Sequence, residues 1–212
     1  MPEETDAQGG AGRAGRVHEA MQAAAPGVAT DIGLAAEAMR LRRHAAVRRA
    51  LPAADLLDQA PLAALGCAVL AAGLASRRPR LRRAGAEMLV GLALATGMKN
   101  ALKQVATRTR PSVVAETGAH DFTASSEEDS DYQAFPSGHT AGAVASVAPL
   151  LRAEPAAAVP LAGLTAGLLA LQLVRGAHYP SDIAAGGAVG AVAALLARRA
   201  VDRLSGGDGS DA

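Results

Sequence analysis

Polar and apolar positions divide the chain into a polar start, a basic amphipathic stretch and five mainly apolar segments. Residues 1–16 are polar and glycine-rich, and residues 1–33 as a whole read as a flexible polar tail. No stretch near the start has the pattern of a cleavable signal peptide. Residues 34–51 place Leu34, Ala38, Leu41, Ala45 and Leu51 among five arginines, which predicts a short basic amphipathic helix on a membrane surface or on the protein's own surface. The apolar segments are 56–76, 84–102, about 140–151, 156–174 and 183–197. A membrane-spanning helix needs about 20 apolar residues. Segments one, two and four reach that length, and three and five reach it with their flanks. Small residues recur at helical spacing, as in Gly186/Gly190 and Gly163/Gly167, which lets membrane helices approach closely. A soluble alanine-rich bundle is the competing reading. The segment 156–174 opposes it, because an all-round apolar helix has no polar face for water. The pattern predicts an all-α, polytopic membrane bundle of about five transmembrane helices over residues 55–200, preceded by the amphipathic helix and followed by a flexible tail over 201–212.

Charge adds an orientation. Arg77, Arg78, Arg80, Arg82 and Arg83 crowd the connection between segments one and two; Arg152 follows segment three; Arg198, Arg199 and Arg203 follow segment five. If each segment crosses once, these positions share one side, which the arginine excess makes cytoplasmic. Residues 103–139 and 175–182 then lie on the opposite face. Five crossings leave the N-terminus outside despite the basic stretch 40–49. That stretch therefore lies on the outer surface, or residues 17–39 add a poor extra crossing.

Composition narrows the classes. Half of the 212 residues are apolar but only 2% are aromatic, with no Trp and two each of Tyr and Phe. The core is thus built from Ala, Leu, Val and Gly, and it lacks the β-branched and aromatic alternation of a sandwich or barrel. One cysteine, Cys67, excludes an internal disulfide framework and a cysteine-based zinc site. A net charge of +1 makes no case for nucleic acid.

The non-cytoplasmic side gathers the polar ends of four segments. Segment two ends in the run Lys103 to Arg110-Pro111; segment three begins with Pro136-Ser137-Gly138-His139. Segment four ends in Arg175, and segment five begins with His178-Tyr179-Pro180-Ser181-Asp182. Lys103, Arg110 and Arg175 are cationic donors, and guanidinium forks suit phosphate oxygens. Ser137 offers a hydroxyl, and Gly138 opens a helix whose free N–H groups favour an anion. His178 and Asp182 are four apart and share a helical face. A carboxylate on one imidazole nitrogen leaves the other as nucleophile or base. His139 is then available as a general acid. Two His and one Asp also make a metal triad in principle, but the surrounding cations repel a divalent ion. His18, His44 and His120 read as structural.

These three blocks resemble the signature of the type 2 phosphatidic acid phosphatase family, which shares its core with vanadium haloperoxidases and bacterial acid phosphatases. The first block matches as Lys103, six residues, Arg110-Pro111; the second as Pro136 to His139; the end of the third as His178, three residues, Asp182. The resemblance covers roughly residues 55–200. It implies hydrolysis of a lipid phosphate or diphosphate through a phosphohistidine. His178 would be the nucleophile, held by Asp182, and His139 the acid and later base. Lys103, Arg110, Ser137, Gly138 and Arg175 would bind the phosphate, without metal or cofactor. It also implies a multi-pass protein of the cell membrane whose partners are the bilayer and a lipid phosphate. The sequence departs from the family at the third-block arginine. That position is Gln172, preceded by Leu171, and the nearest arginine is Arg175. On a helix Gln172 and Arg175 are an i,i+3 pair, so Arg175 could reach the phosphate while Gln172 adds a neutral donor. The alternative is that Arg175 only caps its helix. A haloperoxidase, a soluble-type acid phosphatase and a non-catalytic phosphate-lipid binder or transporter are the rival functions. The acidic stretch 127–131 reads as solvated loop, since carboxylates repel an anionic substrate.

Overall fold

The computed structural model describes residues 3–126 and 129–206, and most of them are helical. The chain forms α1 (Glu3–Ala23), α2 (Pro26–Arg40), α3 (Ala45–Ala50), α4 (Gln59–Ala75), α5 (Pro79–Lys103), α6 (Pro111–Thr117), α7 (Gly138–Ala153), α8 (Ala158–Val174) and α9 (Pro180–Gly206). Two short strands, β1 (Thr107–Arg108) and β2 (Phe122–Thr123), pair antiparallel. The all-α class expected from the pattern is what the chain adopts.

The start of the chain differs from expectation. Within the expected tail, Glu3–Ala23 and Pro26 onward are helical, and apolar positions explain why: Ala20, Ile32 and Ala35 are buried with Val114, Ala134 and Tyr179, and Val17, Met21 and Val28 pack against them. The expected single helix 34–51 is broken instead. After α2 a 3-10 turn covers Leu41–Arg43, His44 takes an extended conformation, and a second 3-10 stretch covers Leu51–Leu57. The Arg48 side chain donates to the carbonyl of Arg43 at 3.0 Å and so caps the first turn. At the other end α9 runs into the expected tail as far as Gly206, and residues 207–212 lie outside the described residues.

Each of the five apolar segments contains a helix. By length and composition, two of the described helices could cross a membrane, Pro155–Val174 and Pro180–Ser205. The pair Ala45–Leu57 and Gln59–Ala75, bent by 62°, would make a third. The other two fall short for visible reasons. α5 carries Arg80, Arg82, Arg83, Glu87, Lys99 and Lys103. α7 has 16 residues with Pro149 inside, and eight of them are buried among protein neighbours. At 1.5 Å per residue it spans about 24 Å, short of the ~30 Å hydrocarbon core. α8 is the opposite case, with Val159 at 83% and Leu164 at 61% exposure, a surface that suits hydrocarbon better than water.

The chain divides into two compact units. The first takes residues up to Pro52, Leu102–Pro136 and Ala170–Ala184; the second takes Ala53–Ala101, Ser137–Leu169 and Ala185 onward. The first unit is centred on the Ala20–Ile32–Val114–Tyr179 cluster, and the second on Leu57, Leu62, Leu92 and Ala143. Within the second unit Gly186 and Gly190 bring α9 onto the backbone of α7. A Cβ at either would collide with the carbonyl oxygen of Ser137 or Ala141. The other small pair, Gly163/Gly167, faces open space and makes no such approach. Also within this unit, buried Glu87 accepts from Arg83 at 2.7 Å and Arg152 at 2.6 Å, and Arg83 pairs with Asp202. Arg80, Arg83, Glu87, Arg152 and Arg198 line a cavity of about 240 Å³. Four of the arginines that the charge pattern assigns to one side, Arg80, Arg83, Arg152 and Arg198, thus meet at this cavity.

Candidate active site

In the first unit the site grows from the end of α8. Gly176 adopts φ +69°. Its N–H donates to the Leu173 carbonyl at 2.9 Å, and the N–H of Ala177 donates to the Gln172 carbonyl at 3.1 Å. This is the paired closure of a helix ended by a left-handed glycine. The chain then turns through Ala177, His178 and Tyr179, and Pro180 starts α9 with a φ already suited to a helix. His178 is therefore fixed in the short corner between helices, and it is 2% exposed.

The ring of His178 is oriented by backbone. Its Nδ1 lies 2.7 Å from the carbonyl oxygen of Ala134. A proton on Nδ1 donated there leaves the lone pair on Nε2, the form a nucleophile needs. The expectation was that Asp182 would do this. Asp182 is wholly buried, and its oxygens serve other groups. Oδ2 accepts from the Tyr179 N–H at 2.8 Å, and Oδ1 accepts from Arg108 Nη1 at 2.8 Å. Asp182 is the third residue of α9 and reaches back to the N–H before the helix, one half of a capping box. It fixes the backbone next to His178, while Ala134 holds the ring.

Arg108 joins both supports. Its carbonyl accepts from the Ala134 N–H at 3.0 Å, and its guanidinium reaches Asp182, Ser181 Oγ at 2.7 Å and Asp31 Oδ2 at 2.8 Å. It lies under the Tyr179 ring, 3.9 Å from the centroid, and is 3% exposed. Asp31 on α2 also accepts from the Ser181 N–H at 3.1 Å and from its hydroxyl. The network encloses Tyr179, whose phenol is pushed up by burial. His120 packs edge-on to Tyr179, and its basicity is lowered first by burial and then by the charge of Arg108. The structural reading of His120 agrees with this setting.

The cationic residues are placed as follows. Lys103 Nζ donates to the Gln133 carbonyl at 3.0 Å. Arg110 is half-buried; burial lowers its basicity, and Asp131 and Asp129 pull it back up. Among the described residues its Nε has no hydrogen-bond partner. Of the acidic stretch, Glu127 and Glu128 lie outside the described residues. Asp129 and Asp131 are exposed, and the Asp131 carbonyl accepts from the Arg110 N–H at 2.8 Å. Gln172 is fully buried. Arg175 Nη2 donates to the carbonyl of Leu51 at 2.8 Å, a tie to the segment before α4.

In the second unit, Ser137 is the N-cap of α7. Its Oγ accepts from the Thr140 N–H at 3.3 Å and the Thr140 hydroxyl at 2.9 Å. Gly138 and His139 follow in the first turn, beside the cluster of free N–H groups a helix start presents. A Cβ at Gly138 would stand 3.0 Å from the Lys99 side chain, so Lys99 covers this turn. His139 Nε2 lies 2.7 Å from Asp58 Oδ1. Asp58 occupies the N-cap position of α4 but makes no cap bond, because its carboxylate is turned to the histidine.

Sequence reasoning missed Arg108, Asp31, Asp58 and Lys99. Arg108 stands inside the first block. Asp31 is the one acid between Glu19 and Glu37, next to Ile32 on a buried face. Asp58 is an acid at the start of an apolar helix. Lys99 is one turn before Lys103, and these are the chain's two lysines. Asp31 and Asp58 are acids beside apolar residues, the signal that could have found them.

A family model described as the PAP2 superfamily matches residues 84–205. No curated protein and no solved structure matches the chain.

Proposed function

The chain belongs to the PAP2 superfamily, a family generally of phosphatases, and on that footing we propose that it hydrolyses a lipid phosphate or diphosphate through a phosphohistidine on His178. The observation that carries the reading is the buried His178 ring oriented by its Nδ1, 2.7 Å from the Ala134 carbonyl oxygen. Nε2 attacks phosphorus, the P–O bond to the leaving group breaks, and His139 gives that oxygen a proton. Water then attacks the phosphohistidine; the P–N bond breaks and the water's proton passes to His139. The role of His139 is supported by its place in the second motif block and by the Asp58 carboxylate at its Nε2. Lys103, Arg110, Ser137 and Gly138 bind the equatorial oxygens. The long apolar helices Pro155–Val174 and Pro180–Ser205 favour a multi-pass protein of the cell membrane. A lipid fits that setting, with its head group at the site and its tail in hydrocarbon. The arginine excess in the connections at 77–83, 152 and 198–203 supports an active site on the non-cytoplasmic face.

Hydrolysis of a panel of lipid phosphates and of p-nitrophenyl phosphate by detergent-extracted protein tests this. Turnover inhibited by vanadate and lost in His178→Ala is expected. Turnover by His178→Ala at the wild-type rate would refute the nucleophile. Gln172 at the family's arginine position, with Arg175 tied to Leu51, favours a second reading: a binder of phosphate lipids without turnover. No turnover by wild type on any member of the panel, with lipid binding retained, selects it.

A further inference from the structure

The residues before α4 lie outside the stretch that the family model matches, and in the first unit they wall a cavity of about 560 Å³. Its charged wall carries Arg13 from α1, Arg40 at the end of α2, and Arg42 and Arg43 from the following turn. Against these cations stands Glu116 of α6. Arg40 is paired with Glu37 at 2.7 Å, and cations remain in excess. Val17, Ala36 and Met39 supply an apolar surface in the same cavity.

The wall is built rather than incidental. Arg42 Nε donates to the Val174 carbonyl at 2.6 Å, which fixes its guanidinium at the end of α8. Burial and the charges of Arg13 and Arg175 lower its basicity, so these guanidinium groups repel one another across a short distance. Ser112 also lines the cavity, and its N–H donates to the Gly176 carbonyl at 3.0 Å. A cluster of like charges around a half-apolar space is relieved by an amphiphilic anion.

We propose that this cavity is a second anion site that holds the phosphate head group of an anionic phospholipid. Arg13, Arg42 and Arg43 contact the phosphate, and the Val17–Ala36–Met39 surface lies against the glycerol and upper acyl carbons. The site is separate from His178 and stands whether or not His178 is a nucleophile. A phosphate diester lipid such as phosphatidylglycerol fits it without being a phosphomonoester substrate.

The test uses the full chain in neutral detergent micelles, with added phosphatidylglycerol or phosphatidylcholine. Binding is read by native mass spectrometry and by the shift in melting followed by far-ultraviolet circular dichroism. Phosphatidylglycerol is expected to bind and raise the melting temperature, and phosphatidylcholine is not. Arg13→Gln/Arg43→Gln changes two exposed side chains and is expected to weaken phosphatidylglycerol binding about tenfold. Arg80→Gln/Arg198→Gln, at the other basic cavity, is expected to leave it unchanged. Equal binding by wild type and Arg13→Gln/Arg43→Gln would overturn the proposal, as would loss of binding in Arg80→Gln/Arg198→Gln or an equal effect of phosphatidylcholine. If inorganic phosphate or glycerol phosphate at the same concentration gave the whole shift, the lipid assignment would fail in favour of a soluble phosphate.

Discussion

Arg108→Gln withdraws a guanidinium from between two buried carboxylates. Arg108 is 3% exposed, Asp31 8% and Asp182 0%. Both ion pairs are 2.8 Å long. Removing one partner of a buried pair costs about 3–5 kcal/mol, because the other charge stays buried without compensation. Here one cation serves two acids, so the upper part of that range is expected. At about 2–4 °C per kcal/mol for a chain of this size, melting should fall by about 8–20 °C. The chain has no Trp, so far-ultraviolet circular dichroism of detergent-extracted protein is the assay. The controls carry the logic. Asp31→Asn alone should destabilise less than Arg108→Gln, since Asp182 keeps its cation. Arg108→Gln/Asp31→Asn should be more stable than the sum of the single effects allows, because one stranded charge has gone. A loss under about 1 kcal/mol in Arg108→Gln would place it among ordinary surface changes and refute the buried-network reasoning. Strict additivity of the two substitutions would refute the shared cation.

Asp58→Asn should slow turnover of an alkyl phosphate more than of p-nitrophenyl phosphate, whose leaving group needs no proton; equal loss on both would remove Asp58 from the acid step. Gly176→Ala should destabilise the protein by more than about 1 kcal/mol, because its φ is +69° and its Cβ would meet the Met39 sulfur; an unchanged melt would show that the corner relaxes freely. His120 has a depressed folded pKa, so its contribution to stability is present above the ordinary histidine value of about 6.5 and is lost as pH falls below it. Melting measured across that range should fall with acid in wild type and fall less in His120→Asn. Lys99→Gln should raise KM for a phosphate ester if Lys99 shields the start of α7, and unchanged kinetics would make it a solvated lysine.

The apolar pattern reported helices well because helix-forming segments here are long and bounded by arginine or proline. It failed where burial is made by a few residues in polar surroundings. Val17, Ile32 and Ala35 are too sparse in sequence to announce a packed helix pair, yet Val114 and Tyr179 complete their cluster from distant chain. The motif blocks made His178, Asp182, Lys103 and Arg110 visible, since spacing carries that signal. Spacing did not carry the partners. That the Ala134 carbonyl holds His178, or that Asp58 faces His139, depends on contacts 44 and 81 residues apart. The role of Asp182 changed for the same reason: helical spacing put it on the face of His178, but Arg108 and the Tyr179 N–H claim its oxygens.

The aromatic poverty of the chain has a practical side. Its intrinsic near-ultraviolet emission comes from two phenols, Tyr132, 40% exposed, and Tyr179, fully buried on Arg108 and next in sequence to His178. Tyr132→Phe would leave a single tyrosine, one residue from His178. The protein would then carry its own optical reporter of what occupies His178, read without label or cofactor.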